Sequence, residues 1–284
     1  MRHLPPIGGG YRSETSDSEQ FLKVKRYWSA SMTSTVDRSF RHEWFPVVRC
    51  QEVGLRHVHR SQLLNQELAI WRDDEGRINA WENRCAHRGT RLSIGTNTGK
   101  EIKCQYHGWR YASQSGQCLF IPAHPDMTPG PRYCVNTYQC VERYGYVWVR
   151  LENEGQRDPL LPLPEEQSVT TLRSIHTKAS TTRIREWLTG DCESVFQANT
   201  PSLEISLIDI QQRHAFLLEA IASNEYDNES VAMFIYLHPL TDEVTTIHPL
   251  VNVDIPHEKR LEELRRYNRL FGTIRNVIEA DHVR

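Results

Sequence analysis

Apolar and polar residues alternate at short period over most of the chain and switch, near its end, to steps of three and four. From Phe40 onward HEWFPVVRC, ELAIWRD, INAWENR, GWRYA and YGYVWVRLE are short runs rich in aromatic and β-branched residues. Glycines, an Asp-Asp-Glu-Gly stretch and a Ser-Gly pair break them, the punctuation of antiparallel strands joined by tight turns. The pattern predicts a compact antiparallel β domain over 39–152. ENEGQRDPLLPLPEEQ follows, and its prolines and charges predict a linker over 153–168. A second domain is expected over 169–284. In it SLIDIQQRHAFLLEAIAS, ESVAMFIYLHPL and EVTTIHPLVNVDI read as strands. Leu261, Leu264, Tyr267, Leu270, Phe271, Ile274, Val277 and Ile278 then recur at helical spacing. They predict one long amphipathic C-terminal helix, with Pro256 suited to its first turn. The fold class is therefore α+β. Residues 1–38, rich in Gly, Pro, Ser and Thr without a period, predict a mobile arm.

Composition narrows the function classes. At 284 residues two domains are the expectation, and 38% hydrophobic with 25% charged residues is an ordinary soluble balance. A net charge of −2, without a long Lys/Arg run, leaves no field to collect nucleic acid or anionic lipid. The amino terminus lacks the apolar core of a signal peptide, and AMFIYL at 232–237 falls far short of the roughly 20 residues needed to cross a bilayer. The expectation is a cytoplasmic protein. Its seven cysteines are an odd number in a chain without an export signal, which opposes a disulfide framework. Cys50, Cys118, Cys134, Cys140 and Cys192 are expected to be small hydrophobes, leaving Cys85 and Cys104 for chemistry.

Those two stand in the strongest motif of the sequence: Cys85-Ala86-His87, sixteen residues, then Cys104-Gln105-Tyr106-His107. Two thiolates and two imidazoles hold a 2Fe-2S cluster, cysteines on one iron and histidines on the other, and the loss of two negative ligands raises its potential. Gly89, Gly95, Gly99 and Gly108 are expected to let the backbone close over the sulfides. Cys2His2 also suits structural zinc, but zinc fingers pair cysteines in one loop and histidines in another, whereas each loop here offers one of each.

CAHRGTRLSIG and IKCQYHGWRY resemble the cluster-binding signature of Rieske non-haem iron oxygenases, and IPAHP and ERYGYVWVRLE are similar to segments that follow it in that family. The resemblance covers 40–152 tightly and the remainder loosely. It implies an oxygenase (alpha) subunit, with a Rieske β domain joined to a helix-grip, START-like catalytic domain. Such subunits form a trimer or larger ring in which one subunit's cluster feeds its neighbour's mononuclear Fe(II). A reductase or ferredoxin supplies electrons, and O2 serves to hydroxylate or demethylate a small organic substrate.

Family members hold that iron with D/E-x-x-H-x4-H and a later acidic residue, a facial triad. Here the matching region, near Arg185-Glu186-Trp187, runs on as LTGDCESVFQANTPSLEIS without a histidine, and no two histidines of the chain stand five apart. VIEADHVR resembles the segment of the acidic ligand, with Asp281 at the matching position. Asp281 also follows Val277 and Ile278 on the apolar stripe, where a carboxylate needs a partner or a metal. A frayed terminus is the alternative. Asp191 and Glu193 read either as the acid linking cluster and iron or as charges at a helix start. His214, His238, His248 and His257 read as structural, and His57 and His59 as exposed on one strand face. Two functions stand: an oxygenase component with an incomplete or degenerate catalytic domain, or an electron-transfer or assembly subunit without mononuclear iron. A binding protein for an apolar ligand is opposed by the intact four-ligand motif.

Overall fold

The computed structural model describes residues 40–152, 168–190, 205–224 and 230–280; the predicted arm and nearly all of the predicted linker lie outside them. Ten strands run between Phe45 and Arg150: β1 (Phe45–Arg49), β2 (Val58–Leu63), β3 (Gln66–Arg72), β4 (Ile78–Glu82), β5 (Thr96–Asn97), β6 (Glu101–Lys103), β7 (Arg110–Ala112), β8 (Cys118–Phe120), β9 (Thr137–Arg143) and β10 (Tyr146–Arg150). They make an antiparallel six-stranded sheet in the order β1-β10-β9-β4-β3-β2 and a four-stranded sheet β5-β6-β7-β8. All five residues of β10 are buried, so this strand is apolar on both faces rather than alternating. Two-residue loops with positive φ at both positions join β2 to β3 (Leu64, 49°, and Asn65, 64°) and β9 to β10 (Tyr144, 52°, and Gly145, 74°). This is the turn geometry that matches strand twist. A leucine at positive φ is unusual, and external contacts hold this one. Its N–H donates to the Pro239 carbonyl at 2.9 Å, and the Asn65 N–H to that of Leu240 at 2.8 Å.

Those carbonyls belong to the second half of the chain. It holds β11 (Thr170–Thr171), β12 (Ile175–Thr177), helix α1 (Thr181–Thr189), β13 (Ile205–His214), β14 (Leu217–Asn224), β15 (Ser230–Pro239), β16 (Thr245–Val251) and helix α2 (His257–Ala280). The antiparallel sheet runs β11-β16-β15-β14-β13, with β12 also paired to β16. Ser180 caps α1 by accepting the Arg183 N–H at 3.2 Å. The expected C-terminal helix is α2, which packs on β12 and β13. It buries Tyr267, Leu270, Phe271, Ile274 and Ile278. Its buried stripe starts at Tyr267 among the described residues, and Leu261 is 62% exposed.

The two halves share an apolar seam. Tyr146 and Trp148 of β10 pack with Leu217, Phe234, Tyr236 and Leu250 of the second sheet. The Trp148 and Tyr236 rings meet edge to face at 4.9 Å, and the Tyr146 hydroxyl donates to the Pro249 carbonyl at 2.9 Å. The described residues thus fall within one compact unit. Among them, no helix is long and apolar enough to cross a membrane.

Candidate metal centre

Cys85 and His87 sit in the loop after β4, Cys104 and His107 in the loop between β6 and β7. The loops are built alike. The Cys85 N–H donates to the Thr90 carbonyl at 2.8 Å and the Gly89 N–H returns to the Cys85 carbonyl at 2.9 Å. In the other loop the Cys104 N–H donates to the Trp109 carbonyl at 2.8 Å and the Gly108 N–H to the Cys104 carbonyl at 3.0 Å. Each therefore closes over four residues onto a left-handed glycine, with φ of 74° at Gly89 and 71° at Gly108.

The other two glycines of the sequence reading do something else. Gly95 is extended (φ −77°, ψ 179°) and lies so close to the Lys103 carbonyl that a Cβ would come within 2.6 Å of it. Gly99 turns β5 into β6 against Asp74.

Side chains tie the loops to the sheet. Asn83 Nδ2 donates to Ser93 Oγ at 3.0 Å and its Oδ1 accepts the Ser93 N–H at 2.8 Å, closing the base of the first loop. Arg91 grips Glu67 of β3 through two 2.8 Å bonds, which hold the Glu67 carboxyl below its usual range. Asn97 donates to the His57 and Arg72 carbonyls and accepts from the Gly99 N–H, anchoring the strands under the second loop.

The motif side chains meet in two pairs at the loop tips, Cys85 with Cys104 and His87 with His107. The cysteines are 3% and 2% exposed, over a floor of Trp71, Trp81, Leu92, Ile102 and Tyr111. The histidines stand at the rim, with Nδ1 of His87 and Nδ1 of His107 3.1 Å apart. The His87 ring stacks on Trp109 at 4.7 Å and 7°, and Tyr106 lies 3.7 Å from the His107 ring. The Cys104 thiol, then burial in the opposing direction, then the Tyr111 hydroxyl set the Cys85 thiol, which is drawn down to about 5. The same contact pushes Cys104 up, so the pair favours a first thiolate. Among the described residues no three His, Cys, Asp or Glu side chains converge on a single point. The donors form two pairs, one of sulfur and one of imidazole nitrogen, and that division fits two irons rather than one.

Tyr111 and Trp109 went unassigned in the sequence because their roles depend on register and loop closure. Tyr111 lies opposite Ile102 across β6 and β7, which turns its hydroxyl to within 3.1 Å of Cys85 Sγ. Of the remaining cysteines, Cys118 is buried as expected, Cys50, Cys134 and Cys140 are half-buried, and Cys192 lies outside the described residues. Asp191, Glu193 and Asp281 lie outside them as well. His214 is exposed near Glu43, and His257 opens α2. His59 differs from expectation. It is half-buried, because it lines a cavity between the two sheets, while His57 is exposed.

Residues 43–139 match the family described as the Rieske [2Fe-2S] domain. Oxidoreductase NdmD of Pseudomonas putida is 46% identical over 133 residues, covering 47% of this chain and 22% of that protein. Methylxanthine N1-demethylase NdmA of the same organism is 37% identical over 120 residues, covering 40% of this chain and 33% of that protein. The chain thus spans a third or less of the length of these curated relatives. The solved structure of Pseudomonas putida CBB5 NdmB resembles it with a TM-score of 0.70 at 23% identity, over 87% of this chain and 85% of that one, a likeness of fold. A Rieske domain implies a 2Fe-2S cluster.

Proposed function

We propose, from a Rieske domain joined to this second sheet and helix, that the chain is the oxygenase component of a Rieske-type mono- or dioxygenase system. In this reading Cys85, His87, Cys104 and His107 hold the 2Fe-2S cluster, residues 39–152 are the Rieske domain, 153–168 the linker and 169–284 the catalytic-like domain. The observation that carries it is the pairing of Cys85 with Cys104 and of His87 with His107 across two matched loops. A reductase or ferredoxin is the electron donor, a small organic molecule the substrate, and the assembly a trimer or larger ring.

When bound, the cluster takes up one electron and passes it on. The chain's own residues set the conditions. Leu92, Ile102 and Tyr111 wall off the two sulfurs from water. The exposed edge belongs to the histidines, so electron partners dock at His107 and the half-buried His87. Trp109, parallel to His87, limits rotation of that ring. Tyr111 keeps its proton, because burial and the neighbouring sulfur push its pKa up, and it donates to Cys85 Sγ. Replacement by phenylalanine should retain the cluster. The potential should fall by on the order of 60 mV, the equivalent of the roughly 1.4 kcal/mol of one charge-assisted bond in a one-electron couple. An EPR-monitored redox titration checks this, and an unchanged midpoint would show that the hydroxyl does not reach the sulfur.

A second reading, an electron-transfer or assembly subunit without mononuclear iron, is favoured by the lack of two histidines five apart. Iron and acid-labile sulfide per anaerobically purified chain separate the two, together with the EPR spectrum after dithionite reduction. Three irons to two sulfides with a Rieske signal support the oxygenase. Two to two support the electron carrier. No Rieske signal at all would overturn both.

A further inference from the structure

The sequence scatters its basic residues, but folding gathers four of them at the loop tips. Arg84 lies against the first loop: a Cβ placed on Gly89 would meet Arg84 Nε at 3.2 Å. Arg88 directly follows His87. Lys103 precedes Cys104, and its Cε lies 3.6 Å from where a Gly108 Cβ would stand, in the second loop. Arg132 sits over the Tyr133 ring at 4.6 Å; that ring meets Trp109 at 5.6 Å, and Trp109 stacks on His87. All four side chains are exposed. Arg91 and Arg110 are held by Glu67 and Glu101, but among the described residues no carboxylate holds any of the four.

Carboxylates are fewer on these loops. Glu82 takes the Asn136 amide at 2.7 Å, and Asp126 lies in the loop after β8. Glu67 is outnumbered by its own partners, Arg60 and Arg91. The rim is therefore positive, in a chain whose net charge is −2. Among these cations stands Tyr106, 58% exposed, its ring 3.7 Å from that of His107. An exposed tyrosine flanked by arginines has the composition of a protein interface, where both residue types are enriched.

We infer, resting on the reading of Cys85, His87, Cys104 and His107 as ligands of a 2Fe-2S cluster, that this rim docks an acidic one-electron carrier, an iron–sulfur protein whose own cluster edge is ringed by carboxylates. Tyr106 fills the centre of the contact, and Arg84, Arg88, Lys103 and Arg132 meet the carboxylates. One electron passes from the carrier's reduced cluster to the oxidised cluster behind His107; the carrier is oxidised, and no bond is made or broken. Charges at the edge of a contact set the rate of encounter more than the strength of the complex. The local field and the net charge make opposite demands. By its net charge of −2 the chain repels an acidic carrier, whereas by its rim it collects one.

The test is stopped-flow reduction of the cluster-loaded chain by three reductants: the sulfur dioxide radical anion from dithionite, the methyl viologen radical cation, and a reduced acidic plant-type 2Fe-2S ferredoxin. Raising the ionic strength from about 0.02 to about 0.5 M cuts the screening length from about 20 Å to about 4 Å. The rates with the anion and the ferredoxin should fall, the ferredoxin's by about tenfold or more, and the viologen rate should rise. Net charge alone demands the reverse for all three. Arg84→Gln, Arg88→Gln, Lys103→Gln and Arg132→Gln should each slow the ferredoxin about threefold at low salt and converge with the wild type at high salt. Lys259→Gln, exposed on the first turn of α2, should change nothing. Should a rim variant load poorly, the salt dependence of the wild type decides. Rates indifferent to salt, or a ferredoxin rate that rises with it, overturn the inference and leave the cluster reading intact. A rim covered by a second copy of the chain would show as rate constants that fall with chain concentration, and overturns it too. Absence of a Rieske spectrum overturns both.

Discussion

Replacing His107 with alanine will strip the cluster from a chain that stays folded. The His107 side chain is exposed and takes no part in the backbone bonds that close its loop, which run from Cys104 to Trp109 and from Gly108 to Cys104. Its ring lies beside His87 and Tyr106. The substitution therefore leaves the loop its shape and removes one of the four proposed ligands at the solvent edge, where water reaches the vacated position. Iron and sulfide should fall together, with loss of the visible Rieske bands and of the reduced EPR signal, while far-ultraviolet circular dichroism holds. A retained Rieske spectrum would remove His107 from the ligand set. Simultaneous loss of the circular dichroism would mean that the loop depends on the imidazole for its fold.

Replacing Trp81 with alanine should cost about 3–5 kcal/mol, the range for emptying a large aromatic site in a packed core. Trp81 is 1% exposed on β4, between β3 and β9, and meets Trp71 edge to face at 5.0 Å. Both rings lie in the floor beneath the cysteines. Set against the roughly 5–15 kcal/mol of a typical native state, the loss is a large fraction, and a melting temperature lower by about 10 °C is expected. Phenylalanine should be tolerated far better. Among the described residues the indole N–H of Trp81 has no hydrogen-bond partner, so the smaller ring loses area without orphaning a donor. Equal destabilisation by the two substitutions would mean that the indole N–H is satisfied and valuable. Thermal melts of cluster-loaded protein measure both.

What could be read from the sequence follows from how local each feature is. Ligand spacing is local, so Cys85, His87, Cys104 and His107 stood out before any fold was known. Helical periodicity is local too, and α2 appeared nearly whole; only Leu261 misled, since a stripe does not reveal where its burial starts. The hydrogen bond between His238 Nδ1 and His248 Nε2, at 3.1 Å, was invisible. It depends on two strands adopting one register, and a separation of ten residues has no meaning in either a helical or a strand period. Tyr111 was hidden for the same reason, and His59 was misplaced because the alternation of β2 does not show the second sheet that half-covers it. Among the four glycines, the motif gave no means of separating Gly89 and Gly108, which must be left-handed, from Gly95, which is small because a carbonyl passes close by.

The tip of the β2–β3 hairpin has a bearing on how electrons travel. By donating the N–H groups of Leu64 and Asn65 to the end of β15, with the Tyr146 hydroxyl bound to Pro249 and the Gln62 carbonyl beside His238, the half that holds Cys85 and Cys104 is moored to its neighbour at several points. A head pinned at several points has no single pivot, so in the proposed function the loops that carry Cys85 and Cys104 would not swing between donor and acceptor. The span an electron would cross is then set by how a donor protein docks on the His107 rim. Under the proposed function, turnover would then depend on arrivals and departures at that rim rather than on any excursion of the domain itself.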